Sequence, residues 1–350
     1  MPPTTTALAD SPPLQATAPA ASAPPHAQPR HRFFAALMAV TLLPLLGLPL
    51  MAQLDLPLRG SLLIGLVIFV GGVCHVASTL FFYSDAQARP ILRDNRVRFG
   101  VLPASALLIT LAVWAWGQGW QLPLQAVMAV FGIHLVWLYY HYQKQNYGLL
   151  SFAAAGSGVR LPADAVRRLM MLPPIAGGLA TIPRLLADGL QAPLPLAGQQ
   201  AMLHALAWLV YAAGLIGIAA LAWQHRAAFA RPWVLAFTLS GFGFYLPALL
   251  VSDIDHAFWS YALAHGFQYL LMTGIVATRN ARPWLGLLVM VLSAIVGGFF
   301  LHRMGGQHAL FLCGILLTWV HFVLDAKLWR MSEPVPRQYL RGRFAFLFDR

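Results

Sequence analysis

Long apolar stretches separated by short polar ones run along almost the whole chain, and the stretches have membrane length. About 20 predominantly apolar residues cross the hydrocarbon core of a bilayer as a helix. On that ruler ten candidate spans stand out, at about 33–53, 60–83, 99–117, 124–142, 169–187, 201–223, 233–251, 257–278, 284–301 and 309–329. The fifth contains Pro173, Pro174 and Pro183, which predicts a kinked or partly re-entrant helix. Residues 1–32 are rich in Pro, Ala, Thr and Ser and predict a disordered tail; residues 331–350 read as a second, basic tail. The run from Phe33 holds Pro44 and Pro49 and lacks a clear small-residue cleavage site, so it reads as a retained first helix and not as a removed signal peptide. The expected fold is all-α, a polytopic bundle of about ten transmembrane helices spanning residues 33–330.

Composition agrees with that pattern. The chain is 59% hydrophobic and 10% charged, with a mean hydropathy of +0.66; a soluble protein carries about 25% charged residues. The net charge of +12 reports orientation before it reports a partner. With ten spans, both termini share a side, and that side receives 20 of the 23 Lys and Arg residues, leaving only Arg59, Arg184 and Arg303 opposite. Basic loops stay in the cytoplasm, so both ends are expected there, with the chain in the cell membrane, which is the inner membrane if the cell is Gram-negative. Nucleic acid is not an expected partner. Cys74 and Cys313, toward the ends of different spans, predict no disulfide. A single glutamate, Glu333, lies beyond the last span.

The candidate chemistry lies in the histidines. His75, His134, His265 and His321 fall on the second, fourth, eighth and tenth spans, which all run in one direction. At 1.5 Å per residue, His75, His134 and His321 lie roughly 12 Å from the inner helix end and His265 roughly 19 Å. Ionisable groups at such depth need partners and commonly mark function. These four are the expected metal ligands. His141 follows His134 by two turns on one face and is an additional candidate ligand. His204, His225, His256, His302 and His308 sit at or beyond span ends and read as solvated.

Helical spacing supplies the supporting groups. Asp325 follows His321 by four residues, Gln268 and Tyr269 follow His265 by three and four, and Ser78 and Thr79 follow His75 likewise. A ligating imidazole usually gives its second N–H to a carboxylate, carbonyl or water. Asp325 is the carboxylate best placed for this, with an interfacial ion pair to Lys327 or Arg330 as the alternative.

A carboxylate-bridged di-iron site needs several Glu or Asp ligands within the bundle, and these spans offer little beyond Asp325. An ion held mainly by neutral imidazoles suits iron, copper or zinc; with no glutamate in the spans to serve as the usual base for zinc hydrolysis, iron or copper is expected. The architecture and ligand type resemble those of histidine-rich integral membrane oxygenases such as desaturases, hydroxylases and bacterial membrane carotene dioxygenases. That resemblance implies oxidative chemistry on a membrane lipid or other hydrophobic small molecule. The tandem His-x-x-His-His boxes of desaturases are absent, so no catalytic residue is carried over. Two alternatives remain open: a haem- or quinone-binding electron-transfer protein, using His134/His321 or His75/His265 as axial pairs, and a proton-coupled transporter using His321, Asp325, Asp255 and His256 as relay groups. Covalent c-type haem is excluded, because no Cys-x-x-Cys-His occurs.

Overall fold

Helices make up all of the regular structure among the described residues, which in this computed structural model are 27–58, 60–116, 123–190, 197–303 and 308–348. The first helix, α1 (Ala27–Gln53), begins inside the segment expected to be a tail; residues 1–26 of that segment lie outside the described residues. Next come α2 (Leu62–Tyr83), a short α3 (Arg89–Asp94), α4 (Val97–Ala115) and α5 (Leu124–Gly156). The proline-rich region forms α6 (Ala163–Met170) and α7 (Leu172–Leu190), which together are long and apolar enough to cross a membrane. The remaining spans are α8 (Gln200–Gln224), α9 (Pro232–Leu250), α10 (Ile254–Thr278), α11 (Pro283–Arg303) and α12 (His308–Leu328).

Helix α5 has 33 residues, 14 more than would end it at the expected Tyr142. Nothing in the sequence stops it until Gly158, whose φ of +70° is costly for a residue with a Cβ. There Val159 N–H bonds the Ala154 carbonyl at 3.0 Å and Gly158 N–H bonds that of Ala155 at 3.1 Å, so the last open carbonyls are capped.

Among the described residues, nine of the expected spans are both long and apolar enough to cross a membrane. The tenth, α10, has the length, at 25 residues, but not the composition. Its polar positions His256, Ser260, Tyr261, His265, Gln268, Tyr269 and Thr273 are all buried. Neighbouring helices α1, α2, α5, α7, α9 and α11 pack around it and shield that polarity. The apolar side chains instead face outward: Leu108 and Trp114 on α4, Leu209 and Ile216 on α8, Leu292 and Val296 on α11 are all more than half exposed. Exposed apolar area on that scale suits lipid, not water.

Two buried polar assemblies hold the helices in register. In one, Gln268 Nε2 donates to Thr41 Oγ1 at 2.8 Å, Gln145 Nε2 donates to Gln268 Oε1 at 2.8 Å, and Asn146 and Gln143 extend the set to the Gly241 carbonyl. In the other, Tyr139 meets Thr181 and Tyr261, and Tyr245 donates to the Tyr139 carbonyl at 2.6 Å.

The basic segment after residue 330 is folded onto the bundle. Helices α13 (Pro334–Arg343) and α14 (Ala345–Phe348) bury Tyr339, Leu340, Arg343, Phe344 and Leu347. Arg343 and Asp85, each at most 1% exposed, form an ion pair at 2.6 Å between α13 and the turn after α2. Tyr339 donates to the other Asp85 oxygen at 2.6 Å, and Arg343 also donates to the Arg279 carbonyl.

Candidate metal centre

Four helices each carry one imidazole into the middle of the bundle. A π-helical turn over Phe69–Cys74 precedes His75 on α2, and turns of this kind recur at functional sites. His265 lies halfway along α10, His141 on α5 and His321 on α12. Their ring centroids form a closed cycle: His75 to His265 at 5.0 Å, His265 to His141 at 4.9 Å, His141 to His321 at 5.2 Å, and His321 to His75 at 5.4 Å. All four are buried. Ligand atoms of His75, His265 and His321 lie within 4.8 Å of one another, and so do those of His141, His321 and Asp325.

Hydrogen bonds at the rear of two rings fix which nitrogen faces the cluster. His75 Nδ1 is 2.6 Å from the Gly71 carbonyl oxygen. A carbonyl only accepts, so Nδ1 carries the proton and Nε2 keeps its lone pair. For His321 the argument runs through three residues. Tyr269 donates its hydroxyl proton to Asp325 Oδ1 at 2.8 Å. Thr79 Oγ1, 2.9 Å from Tyr269 Oη, must then donate to it, and so must accept from His321 Nδ1 at 2.7 Å. The lone pair of His321 therefore also resides on Nε2.

The other two rings lack bonding partners at the cluster face. Both nitrogens of His265, Nε2 of His141 and Nε2 of His321 are buried with no hydrogen-bonding partner in the protein. Leaving such a group unpaired costs about 1–3 kcal/mol each, so a concentration of four in one cluster points to a shared bonding partner. Asp325 Oδ2 stands 3.5 Å from His321 Nε2 and 3.9 Å from His141 Nε2. A carboxylate oxygen and an imidazole lone pair facing each other at that distance repel unless a cation or proton lies between them. The donor set and its orphaned nitrogens thus fit a transition-metal ion.

Of the expected ligands, His75, His265 and His321 come together, and His141 completes the group. His134 does not join it. Its Nδ1 accepts from Trp319 Nε1 at 3.1 Å and its ring stacks on Phe322 and Phe131. The expected depth of His134 rests on an inner helix end at residue 142; because α5 runs to Gly156, the ring at the depth of the cluster is His141, two turns on.

Of the expected supporting groups, Asp325 faces His321 and His141 and is held by Tyr269. The alternative ion pair does not form, because Lys327 and Arg330 both bind Glu333. Gln268 turns away from the imidazoles to Thr41 and Gln145; Gln145 in turn bonds the His265 carbonyl at 3.0 Å. Thr79 serves His321 on another helix, not His75 on its own. His256, expected to be solvated, is buried; its Nδ1 lies 3.0 Å from the N-cap residue Asp253 and its Nε2 lies 3.0 Å from the Leu56 carbonyl. Two further neighbours carried no sequence signal: Tyr142 lies over His265 and Phe322 over His141, each at 4.2 Å. The chain matches no protein family, no curated protein and no solved structure.

Proposed function

We propose that this chain is an integral-membrane, non-haem metalloprotein in which His75, His141, His265 and His321 hold iron or copper, and that it is an oxidoreductase acting on a hydrophobic small molecule. The observation that carries this reading is the closed cycle of four buried imidazoles, three of which hold buried nitrogens with no hydrogen-bonding partner in the protein. Neutral imidazoles suit iron, copper or zinc. With Glu333 paired at the edge, no glutamate is present in the bundle to serve as the base that zinc hydrolysis commonly uses. A redox-active ion here would supply electron transfer to or from dioxygen and substrate. The protein's own part is to hold four neutral donors, offset part of the ion's charge with Asp325, and keep water away. Haem fits less well, because the four imidazoles crowd one another at centroid distances of 5.0, 4.9, 5.2 and 5.4 Å, which leaves no room for a porphyrin between them.

A lipid-facing groove of about 660 Å³ supports an apolar substrate. It follows the outer stripe of α5 past Met128, Gly132, Val136, Trp137 and Tyr140, with Leu186 of α7 as the opposite wall. Trp137 packs on Phe322 at 5.7 Å, and Phe322 stacks on His141. Two aromatic rings therefore separate the groove from the imidazoles. The same proposal has both termini in the cytoplasm, a reading that the charge bias supports.

Metal analysis with a visible spectrum of the purified full chain tests the proposal. The expected result is about one iron or copper ion per chain and no Soret band. A Soret band, or no bound metal after incubation with either ion, overturns it.

A further inference from the structure

A second site lies far from the imidazoles, at the corner between α3 and α4. A pocket of about 450 Å³ is lined there by Arg89, Leu92, Arg93, Arg96, Phe99 and Gly100. Three arginines thus line one small space. None of the three has an ion-pair or hydrogen-bond partner among the described residues, and the surrounding carboxylates are taken or turned elsewhere. Asp85 is committed to Arg343 and Tyr339, Glu333 to Lys327 and Arg330, and Asp94, on α3 itself, does not line the pocket. Clustered like charges with no counter-charge repel, and an anion relieves that repulsion. Guanidinium forks match phosphate oxygens in geometry as well as charge.

The surroundings determine the kind of anion. Phe99 and Gly100 form the apolar side of the pocket, and beyond them the lipid-facing side of α4 begins. Val97 and Val101, the first valines of that helix, are 68% and 57% exposed. The pocket therefore has a cationic half at the membrane edge and an apolar half leading into the hydrocarbon. A freely soluble anion would use only the first half.

We infer that the α3–α4 corner binds an anionic phospholipid of the surrounding bilayer, with Arg89, Arg93 and Arg96 on the head-group phosphate and the acyl chain along the exposed Val97 and Val101. Basic pockets at the ends of transmembrane helices recognise lipid head groups in this way. The site is independent of the imidazole cluster and stands whether or not that cluster binds metal.

Titration of the delipidated full chain with phosphatidylglycerol, phosphatidylcholine and inorganic phosphate tests the inference. Phosphatidylglycerol is expected to bind saturably and at least ten-fold more tightly than phosphatidylcholine, with millimolar phosphate unable to displace it. Each single Arg→Gln change at 89, 93 or 96 should weaken binding on the order of five-fold, and the triple change on the order of 100-fold. Arg226→Gln with Arg231→Gln, on the loop between α8 and α9, removes charge elsewhere and should leave binding unchanged. If the triple variant does not fold, Arg93→Lys, which keeps the charge and loses the fork, should bind between wild type and Arg93→Gln. Equal affinity for the two lipids, displacement by phosphate, an equal loss in the Arg226/Arg231 control, or no effect of Arg93→Gln and Arg93→Lys would each overturn the inference.

Discussion

Gly266 meets Gly71 so closely that a Cβ at position 266 would lie 1.8 Å from the Gly71 carbonyl oxygen and 2.9 Å from His75 Nδ1. The same carbonyl oxygen is the acceptor that orients His75. One glycine–glycine crossing thus sets both the spacing of α2 from α10 and the direction in which the His75 lone pair points. Gly266→Ala must push the helices apart. A loss of about 1–3 kcal/mol in stability is expected from overpacking, together with reduced metal content. Gly148→Ala, where nothing lies within 4 Å of the added carbon, is the matched control. Thermal unfolding and metal analysis of the two variants check this; equal behaviour would show that the crossing is not constrained.

His141 and His134 separate function from packing within one helix. His141→Leu should abolish or sharply lower bound metal while the chain remains folded. His134→Leu loses the Trp319 hydrogen bond, worth about 1 kcal/mol, and the stacking on Phe322 and Phe131, and should retain full metal content. Metal per chain in the two purified variants is the measurement, and loss of metal in both or in neither would refute the assignment.

Asp325→Asn keeps the size of the side chain and removes its charge. If the carboxylate supports the ion at His321 and His141, metal affinity should fall on the order of 10–100-fold, read by competition with a chelator. Tyr269→Phe breaks the relay that fixes the His321 tautomer and should give a smaller drop in the same direction. Unchanged affinity in both variants would leave Asp325 without a role at the centre.

The clamp at Asp85 predicts a pH dependence. Burial and the adjacent Asp85 carboxylate push the Tyr339 hydroxyl well above the usual tyrosine range. A raised folded-state value means that its contribution is complete below the unfolded pKa of about 10 and is lost as pH rises beyond it. Stability should therefore fall above about pH 10, and Tyr339→Phe should flatten that slope. Asp85→Ala leaves Arg343 buried and uncompensated, and about 3–5 kcal/mol should be lost at neutral pH. Denaturant titrations across pH decide; an unchanged slope in Tyr339→Phe would exclude the hydroxyl as its source.

The spans were legible because a bilayer imposes one length on every helix that crosses it, and even the polar α10 was found by length. His75, His265 and His321 were legible because an imidazole amid apolar residues is conspicuous. The end of α5 was not. Its string Tyr142-Gln143-Lys144-Gln145-Asn146 reads as chain leaving the membrane, yet Gln143 and Asn146 are buried. Their amides bond Gly241 on α9 and Gln268 on α10 across helices, and no local pattern announces such partners. That one misplaced end put His134 at the depth that belongs to His141. The folded C-terminal segment was hidden for the same reason, since Arg343 reads as surface charge until Asp85 is placed beside it.

Helix α10 also bears on how the protein is made. A segment with two histidines, a glutamine and several hydroxyls partitions poorly into lipid by itself. Its favourable partners are Thr41 on α1, Gln145 on α5 and Thr79 on α2, all earlier in the chain. Insertion of α10 is therefore cooperative: the earlier helices form the solvent into which it dissolves. His265 reaches the bundle interior only after the receptacle for it exists, and any agent that delays α1 or α2 leaves α10 stranded at the membrane surface.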